Sequence, residues 1–375
     1  MIPLNSTMLA VALPAIMGDL RVDAATVSSL VTLYLAAVAL AMPLAGTLGD
    51  RFGYRRMYLW GVAGFAITSL VAALAQNFAL LVMARVLQAA SGASITANAA
   101  SLIRSIAPED RRGGSYGFYD MVTSTSAAVG PFVGGLLVAG FGWRSLFVVA
   151  VPIGLISGVA VAAIVRGERR MAAGPSRWYG LDLRLFAVRP FAAAVAAVLG
   201  ATVILHASLV LIPILTQTVM HTSPATTGAV LLMLSGLGAI VAPIGGRLSD
   251  RVGRRLPAVV GSAGMTLGLG VLWMVTGNIT LIGLTAALAL VGIGSGFGGS
   301  SRQAAAIESV PAHATGVAAG TYYTSRYIGG VLGASLAGAV LAGGVSGPSI
   351  AGGFGILAAV GVVVMLISFG LRGRR

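Results

Sequence analysis

The sequence predicts an all-α membrane protein of twelve transmembrane helices, arranged as two bundles of six. Three observations predict this fold class: an apolar composition, twelve apolar segments of membrane-spanning length, and a loop motif that occurs once in each half. Hydrophobic residues make up 57% of the 375 residues, charged residues make up 9%, and the mean hydropathy is +0.95. Because a soluble domain carries about 25% charged residues, most of this surface must face lipid.

The composition also excludes several classes of protein. The chain has no cysteine, which excludes disulfide bonds and thiolate metal sites, and we expect neither a metal nor a cofactor. The net charge of +14 would suit a nucleic-acid-binding protein, but the 24 basic residues are all arginines and most lie in short gaps between apolar segments. We therefore expect the lipid bilayer, and no nucleic acid, as the partner of this charge. The sequence contains no paired carboxylates or hydrolase motifs, so we do not expect an enzyme.

Twelve apolar segments approach the roughly 20 residues that a helix needs to cross a bilayer. They occupy residues 2–18, 27–47, 55–75, 79–102, 114–138, 144–165, 191–214, 225–244, 257–276, 279–300, 315–341 and 350–371. The first segment is the shortest, with about 17 residues and a length of ~26 Å at the helical rise per residue. Two alternatives stay open for it, a short first helix or a chain that begins within a helix.

The arginines predict the orientation of the chain. Twenty of the 24 arginines, Arg302 among them, lie in the gaps after even-numbered segments or in the C-terminal tail. The opposite gaps contain only Arg21 and Arg144. Because arginine-rich loops remain in the cytoplasm, we expect both termini to be cytoplasmic and the protein to lie in a bacterial inner membrane.

A repeated loop motif divides the chain into two halves. The motif recurs at an offset of 200 residues, as Gly46-x-Leu48-x-Asp50-Arg51-x-Gly53-x-Arg55 and Gly246-x-Leu248-x-Asp250-Arg251-x-Gly253-x-Arg255. Two halves of the same topology imply a pseudo-two-fold axis along the membrane normal, and a cavity between them can open to either side in turn. We therefore expect a transporter with an N-terminal bundle (1–165), a basic cytoplasmic linker (166–190) and a C-terminal bundle (191–375).

The repeated loop resembles the signature loop of the major facilitator superfamily, and four further patterns resemble its drug:proton antiporter branch. These patterns are Leu4-Asn5-Ser6-Thr7, Arg85-x-x-Gln88, Gly130-Pro131-x-x-Gly134-Gly135 and Arg326-Tyr327-x-Gly329-Gly330. The resemblance implies the fold of that superfamily and the proton-driven export of small molecules. It also implies that the glycine pattern of the fifth helix marks exporters, although ordinary helix packing is an alternative explanation of it.

The resemblance further implies that the repeated loop is a conformational latch. Asp50 would accept backbone N–H groups at the start of the eleventh helix, near Thr315, a contact worth ~0.3–2 kcal/mol that exists only when the cytoplasmic side is shut. Gly53 permits the tight turn. The residues expected in the latch are Gly46, Asp50, Arg51, Gly53, Arg55, Asp250 and Arg251. The alternative is that their charges only fix the topology.

A few polar residues lie inside apolar segments, where a charge costs ~2.5–3.5 kcal/mol or more. The resemblance implies that Arg85 takes part in proton coupling, through a protonatable group or water, and a structural hydrogen bond is the alternative. Asp120 is a candidate proton or cation site, and an interfacial ion pair with a loop arginine is the alternative. His206 is a candidate proton site, although a lone histidine is more often structural. Arg326 is a candidate anion contact or a member of a coupling network, with a structural role as the alternative. The full set of expected coupling or cavity residues is Asn5, Arg85, Gln88, Asp120, His206, Gln217, Tyr322 and Arg326.

Two functions stay open at this point. The first is a proton-driven exporter of drug-like or lipophilic compounds. The second is an uncoupled or differently coupled carrier of a polar metabolite or an organic anion. Asn5 favours the second, because it stands where the branch carries an aspartate and an amide cannot carry a proton; Arg85 and Arg326 favour it through their charge. We expect a monomer in either case.

Overall fold

The computed structural model describes residues 2–106, 112–165, 183–275, 280–310 and 315–371 of the chain. Twelve long α-helices lie in this part of the chain: α1 (Ile2–Leu20), α2 (Ala24–Phe52), α3 (Tyr54–Ala73), α4 (Phe78–Ile106), α5 (Arg112–Phe141), α6 (Ser145–Ile164), α7 (Arg189–Ile214), α8 (Pro224–Val252), α9 (Arg255–Val275), α10 (Leu281–Glu308), α11 (Thr315–Ala342) and α12 (Gly347–Ser368). Eleven of them are long and apolar enough to cross a membrane, and α1 contributes a shorter apolar stretch. The predicted twelve-helix membrane fold is therefore confirmed.

The repeat in the sequence is also a repeat in local structure. Helices α2 and α8 each contain 29 residues, and each begins at an N-cap side chain, Asp23 or Ser223, that accepts a hydrogen bond from the backbone three residues later. The backbone N–H of Thr26 thereby lowers the pKa of Asp23, because it stabilises the ionised carboxylate. Each helix ends at a glycine with positive φ, 97° at Gly53 and 89° at Gly253, a conformation that glycine adopts without strain.

Four helices extend beyond the predicted apolar segments. Helices α2, α4, α8 and α10 continue for four to eight residues past the segment ends, through sequence that contains charged side chains. The helix continues there because backbone hydrogen bonds do not depend on an apolar environment. One prediction is wrong for this reason: Arg302, assigned above to a loop, lies within α10 and is only 2% exposed.

The helices pack in the same way in both halves. In the first half α3 packs on α4 and α6, α1 packs on α5, and α2 packs on α4; in the second half α9 packs on α10 and α12, α7 packs on α11, and α8 packs on α10. Contacts between the halves run from α2 to α11, from α5 to α8 and from α1 to α7. Most of the predicted linker, 166–190, lies outside the described residues, although a turn of 3-10 helix at Leu183–Ala187 and the start of α7 at Arg189 belong to its last part.

Candidate functional site

The two ends of the molecule can be distinguished by their charges. We call the end that carries Arg51 and Arg251 the arginine-rich end, and the end that carries Asp19 and Arg144 the arginine-poor end. At the arginine-poor end Arg144 donates hydrogen bonds to Asp19 Oδ2, 2.7 Å away, and to the carbonyl oxygen of Ala75, 3.0 Å away. These contacts join the end of α1, the segment after α3 and the start of α6.

Helices α2 and α11 touch near the arginine-poor end and separate toward the other. Gly338 of α11 lies against Ser28 of α2, and a Cβ built on Gly330 would lie 2.9 Å from Leu35 Cδ1. Gly46 lies on the same face of α2, because it follows Leu35 by 11 residues and about three helical turns. A Cβ built on Gly46 would have no atom within 4 Å. Among the described residues, the two halves therefore make no contact at Gly46, at this edge of the arginine-rich end.

The opposite edge, where α5 crosses α8, is also closed near the arginine-poor end. A Cβ on Gly135 would lie 2.5 Å from the carbonyl oxygen of Pro224, and a Cβ on Gly228 would lie 2.5 Å from that of Pro131. Such an approach of two backbones requires small residues. Between the two edges, Gln217 Nε2 donates to the carbonyl oxygen of Val11 in α1, 2.9 Å away.

The other two glycines of the α5 pattern face α1 within the same half. A Cβ on Gly130 would lie 3.1 Å from the carbonyl oxygen of Leu4, and a Cβ on Gly134 would lie 2.9 Å from the Cα of Met8. The pattern thus gives α5 a close approach to α1 on one side and to α8 on the other.

Arg85 of α4 is the centre of a buried polar cluster in the first half. Its Nη1 donates to Asn5 Oδ1 at 2.7 Å and to Gln88 Oε1 at 2.6 Å, and Gln88 Nε2 donates to Ser69 Oγ at 2.7 Å. The guanidinium carbon lies 4.0 Å from the ring centroid of Tyr34, a cation–π distance. Arg85 is 2% exposed and its Nε has no hydrogen-bond partner among the described residues.

The charge of Arg85 is solvated by neutral groups. Asn5 and Gln88 offer amide oxygens, and Tyr34 offers the face of its ring. The described partners of Arg85 are two amides and an aromatic ring, and its role in proton coupling stays a prediction. Asp120 lies within α5, but its side chain is outside the part of the structure that is described.

The second half contributes a polar and aromatic patch to the space between the halves. Arg326 of α11 is exposed, and its guanidinium carbon lies 5.9 Å from the ring centroid of Tyr323. The hydroxyl of Tyr323 accepts a hydrogen bond from Gln303 Nε2 of α10, 3.1 Å away. Its neighbour Tyr322 is 3% exposed and packs among apolar side chains. Tyr323, rather than Tyr322, is therefore the tyrosine that a solute could reach.

His206 of α7 lies deeper, against α11. Its Nδ1 is 3.1 Å from the carbonyl oxygen of Thr202, and its Cε1 would lie 3.2 Å from a Cβ on Gly330. The imidazole therefore lies at a helix contact just beyond the patch around Arg326.

Arg302 is the functional candidate that the sequence analysis missed as a buried residue. Its Nη1 lies 3.3 Å from Ser262 Oγ and its Nη2 lies 3.4 Å from the carbonyl oxygen of Ser295, both at the long end of the hydrogen-bond range. It makes no ion pair with a described residue. The glycines and serines around Arg302 did not indicate that it is buried, because a single arginine beside a polar run is typical of the end of a helix.

A comparison with known protein families decides the identity of this fold. The model of the Major Facilitator Superfamily matches residues 1–334 of the chain. The chain belongs to the major facilitator superfamily. It is therefore a multi-pass membrane transporter and not an enzyme, as the sequence analysis predicted.

Two relatives of this chain carry names that describe export. The tetracenomycin C resistance and export protein of Streptomyces glaucescens is 32% identical over 91% of this chain and 73% of that protein. The multidrug efflux pump LfrA of Mycolicibacterium smegmatis is 28% identical over 91% of this chain and 78% of that protein. Among solved structures, a D-xylose-proton symporter matches with a TM-score of 0.78 at 13% identity, over 98% of this chain and 94% of that one. That last similarity shows the fold alone.

The signature loop of the superfamily has different partners in the two halves. In the first copy, Asp50 Oδ1 accepts a hydrogen bond from the hydroxyl of Tyr54 at 2.6 Å. In the second copy, Asp250 Oδ1 accepts from Arg254 Nη1 at 2.6 Å, and Arg254 also pairs with Glu308 at the end of α10. The hydrogen bond to Glu308 stabilises the charged guanidinium and is the main reason that the pKa of Arg254 is raised above its ordinary value.

Two of the other loop arginines make contacts within their own half. Arg55 Nη2 donates to the carbonyl oxygen of Ala162, 3.0 Å away, which ties α3 to the end of α6. The guanidinium carbon of Arg51 lies 5.3 Å from the ring centroid of Phe52. Arg251 is exposed. Each of these contacts lies within one half of the molecule, and the latch between the halves stays a prediction.

Proposed function

We propose that this chain is a secondary transporter that exports small organic molecules by alternating access, in exchange for protons. The observation that carries the proposal is the unequal closure of the two ends, with α2 and α11 in contact at Gly330 and Gly338 and apart at Gly46. A structure closed at one end and open at the other is one of the two states that alternating access requires. The printed names of the two relatives, an export protein and an efflux pump, support the direction of transport.

The orientation follows from the charges. The arginine-rich end is the cytoplasmic end by the positive-inside rule, which places both termini in the cytoplasm of a bacterial cell and the chain in its inner membrane. The cleft then opens to the cytoplasm, where an exporter binds its substrate. Both halves come from one chain, so a monomer is sufficient for the cycle.

The moving units in this proposal are the two bundles, 1–165 and 191–375, with 166–190 as the linker. Rocking about the contacts at the arginine-poor end would bring the start of α11 toward the end of α2. Asp50 lies on the face of α2 that contacts α11, since it follows Leu35 by 15 residues, a little over four turns. Its carboxylate would then accept from the N-terminal N–H groups of α11, which carry a partial positive charge.

Proton exchange requires a group that gains and loses a proton near neutral pH. Arg85 cannot supply it, because a guanidinium is not deprotonated in proteins. Asp120 and His206 are the candidates, and we propose that proton binding at one of them competes with substrate binding in the cleft. The positive charge of Arg85, whose guanidinium is held in place by Asn5 and Gln88, would influence the competition between proton and substrate electrostatically.

Transport in proteoliposomes tests this function. Purified protein would be reconstituted with an interior of lower pH than the bath, and uptake of fluorescent lipophilic probes would be followed with and without a protonophore. The proposal expects uptake that collapses with the pH gradient, that is lost in Asp120→Asn or in His206→Gln, and that survives in Arg255→Gln. An uptake rate that does not depend on the pH gradient would rule out exchange for protons but would remain compatible with alternating access.

A second candidate function is an uncoupled carrier. The observation that favours it is the neutral surroundings of Arg85, where amide oxygens occupy the places that a proton-carrying carboxylate would take. Exchange of labelled for unlabelled substrate at equal pH on both sides, with no effect of a pH gradient on the rate, would select this candidate.

A further inference from the structure

We propose that the cleft takes an amphipathic organic anion, with Arg326 binding the anionic group and Tyr323 providing aromatic surface for its apolar part. This inference rests on the proposed function, because it names the substrate class of the same cleft. It departs from an exporter of cations, and it follows from the position of Arg326 and from the charges around it.

Arg326 lies on the face of α11 that points to the centre of the molecule. It precedes Gly330 by four residues and therefore by about one turn. A Cβ on Gly330 would lie 3.2 Å from His206 Cε1 on α7 and 2.9 Å from Leu35 Cδ1 on α2, so this face of α11 lies between the two halves. The opposite face carries Leu332, which is 49% exposed, as expected of a side chain that faces lipid.

The exposure of Arg326 is explained by the divergence of α2 and α11. The two helices touch at Gly330 and are apart at Gly46. Arg326 is one turn closer to the arginine-rich end than Gly330 and therefore lies where the gap begins. It is 11 residues from the start of α11, which places it ~17 Å along the helix, well inside the membrane. A guanidinium at this depth is stable when it faces a water-filled cavity or binds a counter-charge.

The contacts of Arg326 leave its hydrogen-bond donors open to a ligand. Among the described residues it pairs with no carboxylate, and its recorded contact is the 5.9 Å approach to the ring centroid of Tyr323. Gln303 donates to the hydroxyl of Tyr323 and holds that ring at the cleft wall, where 39% of the residue is exposed. A guanidinium fork matches the two oxygens of a carboxylate, and the ring offers a surface on which a flat apolar group can stack.

The other charges in the membrane core add to the effect of this patch. Three arginines, Arg85, Arg302 and Arg326, lie within helices, and none of them pairs with a described carboxylate. The described carboxylates belong to residues near helix ends, namely Asp19, Asp23, Asp50, Asp250 and Glu308. Of the three arginines only Arg326 is exposed, and the buried charges of Arg85 and Arg302 add a field of the same sign around it. The cleft should therefore concentrate organic anions and repel organic cations.

Asp120 is the acidic residue that could oppose this field, and its helix lies elsewhere. Helix α5 packs on α1 and α8, whereas α11 packs on α2 and α7. The two helices thus belong to opposite edges of the contact between the halves. Asp120→Asn provides a second test, because it removes a negative charge from a helix at the other edge of the contact between the halves.

The test uses three probes that share a naphthalene ring and differ in charge: 2-naphthoate, 2-naphthamide and 2-naphthylmethylamine. Binding to the full-length detergent-purified protein and uptake into proteoliposomes would both be measured. The variants are Arg326→Gln, Arg326→Lys and Tyr323→Leu, with Arg255→Gln as the matched control. Arg255 is suitable because it is exposed and its guanidinium carbon also lies over an aromatic ring, 5.1 Å from the ring centroid of Phe369, but it is the first residue of α9, at the arginine-rich end.

We expect the native protein to bind naphthoate at least about tenfold more tightly than the amide, and the amine least of the three. Arg326→Gln should abolish the preference for naphthoate, Arg326→Lys should keep part of it, and Arg255→Gln should keep all of it. Tyr323→Leu should weaken naphthoate and naphthamide alike. In the binding measurement, Asp120→Asn should leave the order of the three probes unchanged.

The failures are distinguishable. Equal binding of the three probes, preference for the amine, or full retention of the naphthoate preference in Arg326→Gln would overturn the inference while leaving the transporter proposal in place. Preferential binding of naphthoate that depends on Arg326, without movement of any probe across the membrane, would overturn the transporter proposal and leave the assignment of the anion site standing.

Discussion

Replacing Gly228 with alanine should shift the protein away from the arrangement that is closed at the arginine-poor end. A Cβ at this position would lie 2.5 Å from the carbonyl oxygen of Pro131, 3.1 Å from the Cα of Phe132 and 3.2 Å from the Cα of Gly135. All three are backbone atoms of α5, which cannot rotate aside as the end of a side chain can. Helices α5 and α8 would have to separate by ~1 Å to reach an ordinary contact distance.

The size of the shift follows from the cost of overpacking. Extra methyl groups in a packed interior cost ~1–3 kcal/mol. This cost applies only while α5 and α8 are crossed closely, because the added methyl group meets no atom once that end opens. The ratio of closed to open molecules at the arginine-poor end should therefore fall by about 5- to 150-fold.

The absence of cysteine from the chain provides a direct assay. A single cysteine in place of Ser28, which is 3% exposed at the contact of α2 with α11, would react with an impermeant maleimide only when the arginine-poor end opens. We expect Gly228→Ala to raise the labelling rate severalfold or more, and Gly135→Ala to do the same from the other side of the crossing. Gly140→Ala is the matched control, because a Cβ there has no atom within 4 Å.

Equal labelling rates in Gly228→Ala and in Gly140→Ala would refute the argument, provided that both variants keep the melting temperature of the parent. A second outcome would also contradict the prediction. If Gly228→Ala lowers the melting temperature and cysteines at lipid-facing positions are labelled faster as well, the substitution destabilises the whole fold and does not shift the protein between two arrangements.

Four further predictions concern buried and exposed charges. Arg85→Ala should abolish transport and leave membrane insertion normal, which vesicle uptake and membrane fractionation would check. Asn5→Asp should raise the melting temperature, because it gives the Arg85 guanidinium an ionic partner at the position of the 2.7 Å hydrogen bond. Arg302→Met should leave the melting temperature unchanged or raise it, since its hydrogen bonds are long and an unpaired buried charge is costly; a fall would contradict this. Asp19→Asn should cost less than about 1 kcal/mol in an unfolding titration, because the pair with Arg144 is 44% and 41% exposed.

The number and order of the helices could be predicted because a helix that crosses a bilayer needs a continuous apolar segment, which the hydropathy of the sequence reveals. Each apolar run of about 20 residues became a helix, and the start of most helices falls within three residues of the predicted segment. The ends at the arginine-rich side could not be placed as well. Hydropathy falls where side chains become polar, but the helical hydrogen bonds of α8 and α10 continue for another eight residues. Arg302 was misplaced for this reason.

The members of the Arg85 cluster were predictable in part. Gln88 follows Arg85 by three residues, and side chains three apart in a helix lie on one face, so their contact could be expected from spacing. The contact of Arg85 with Asn5 joins residues 80 positions apart, and no periodicity in either helix indicates which faces meet. The stacking on Tyr34 was missed for the same reason.

The two halves share the caps and turns of their helices but differ in their buried polar residues. The shared residues and the unshared residues should therefore have different roles. The caps Asp23 and Ser223 and the turns Gly53 and Gly253 occupy equivalent places, as halves that rock symmetrically would require. Arg85 is near the start of α4, whereas Arg302 is near the end of α10, so the buried charges obey no such symmetry. A binding site for one asymmetric solute has no need of symmetry, because the solute presents different groups to the two halves. Residues shared by the halves should therefore set the rate of exchange between states for every substrate, and the unshared arginines should set which substrate is chosen.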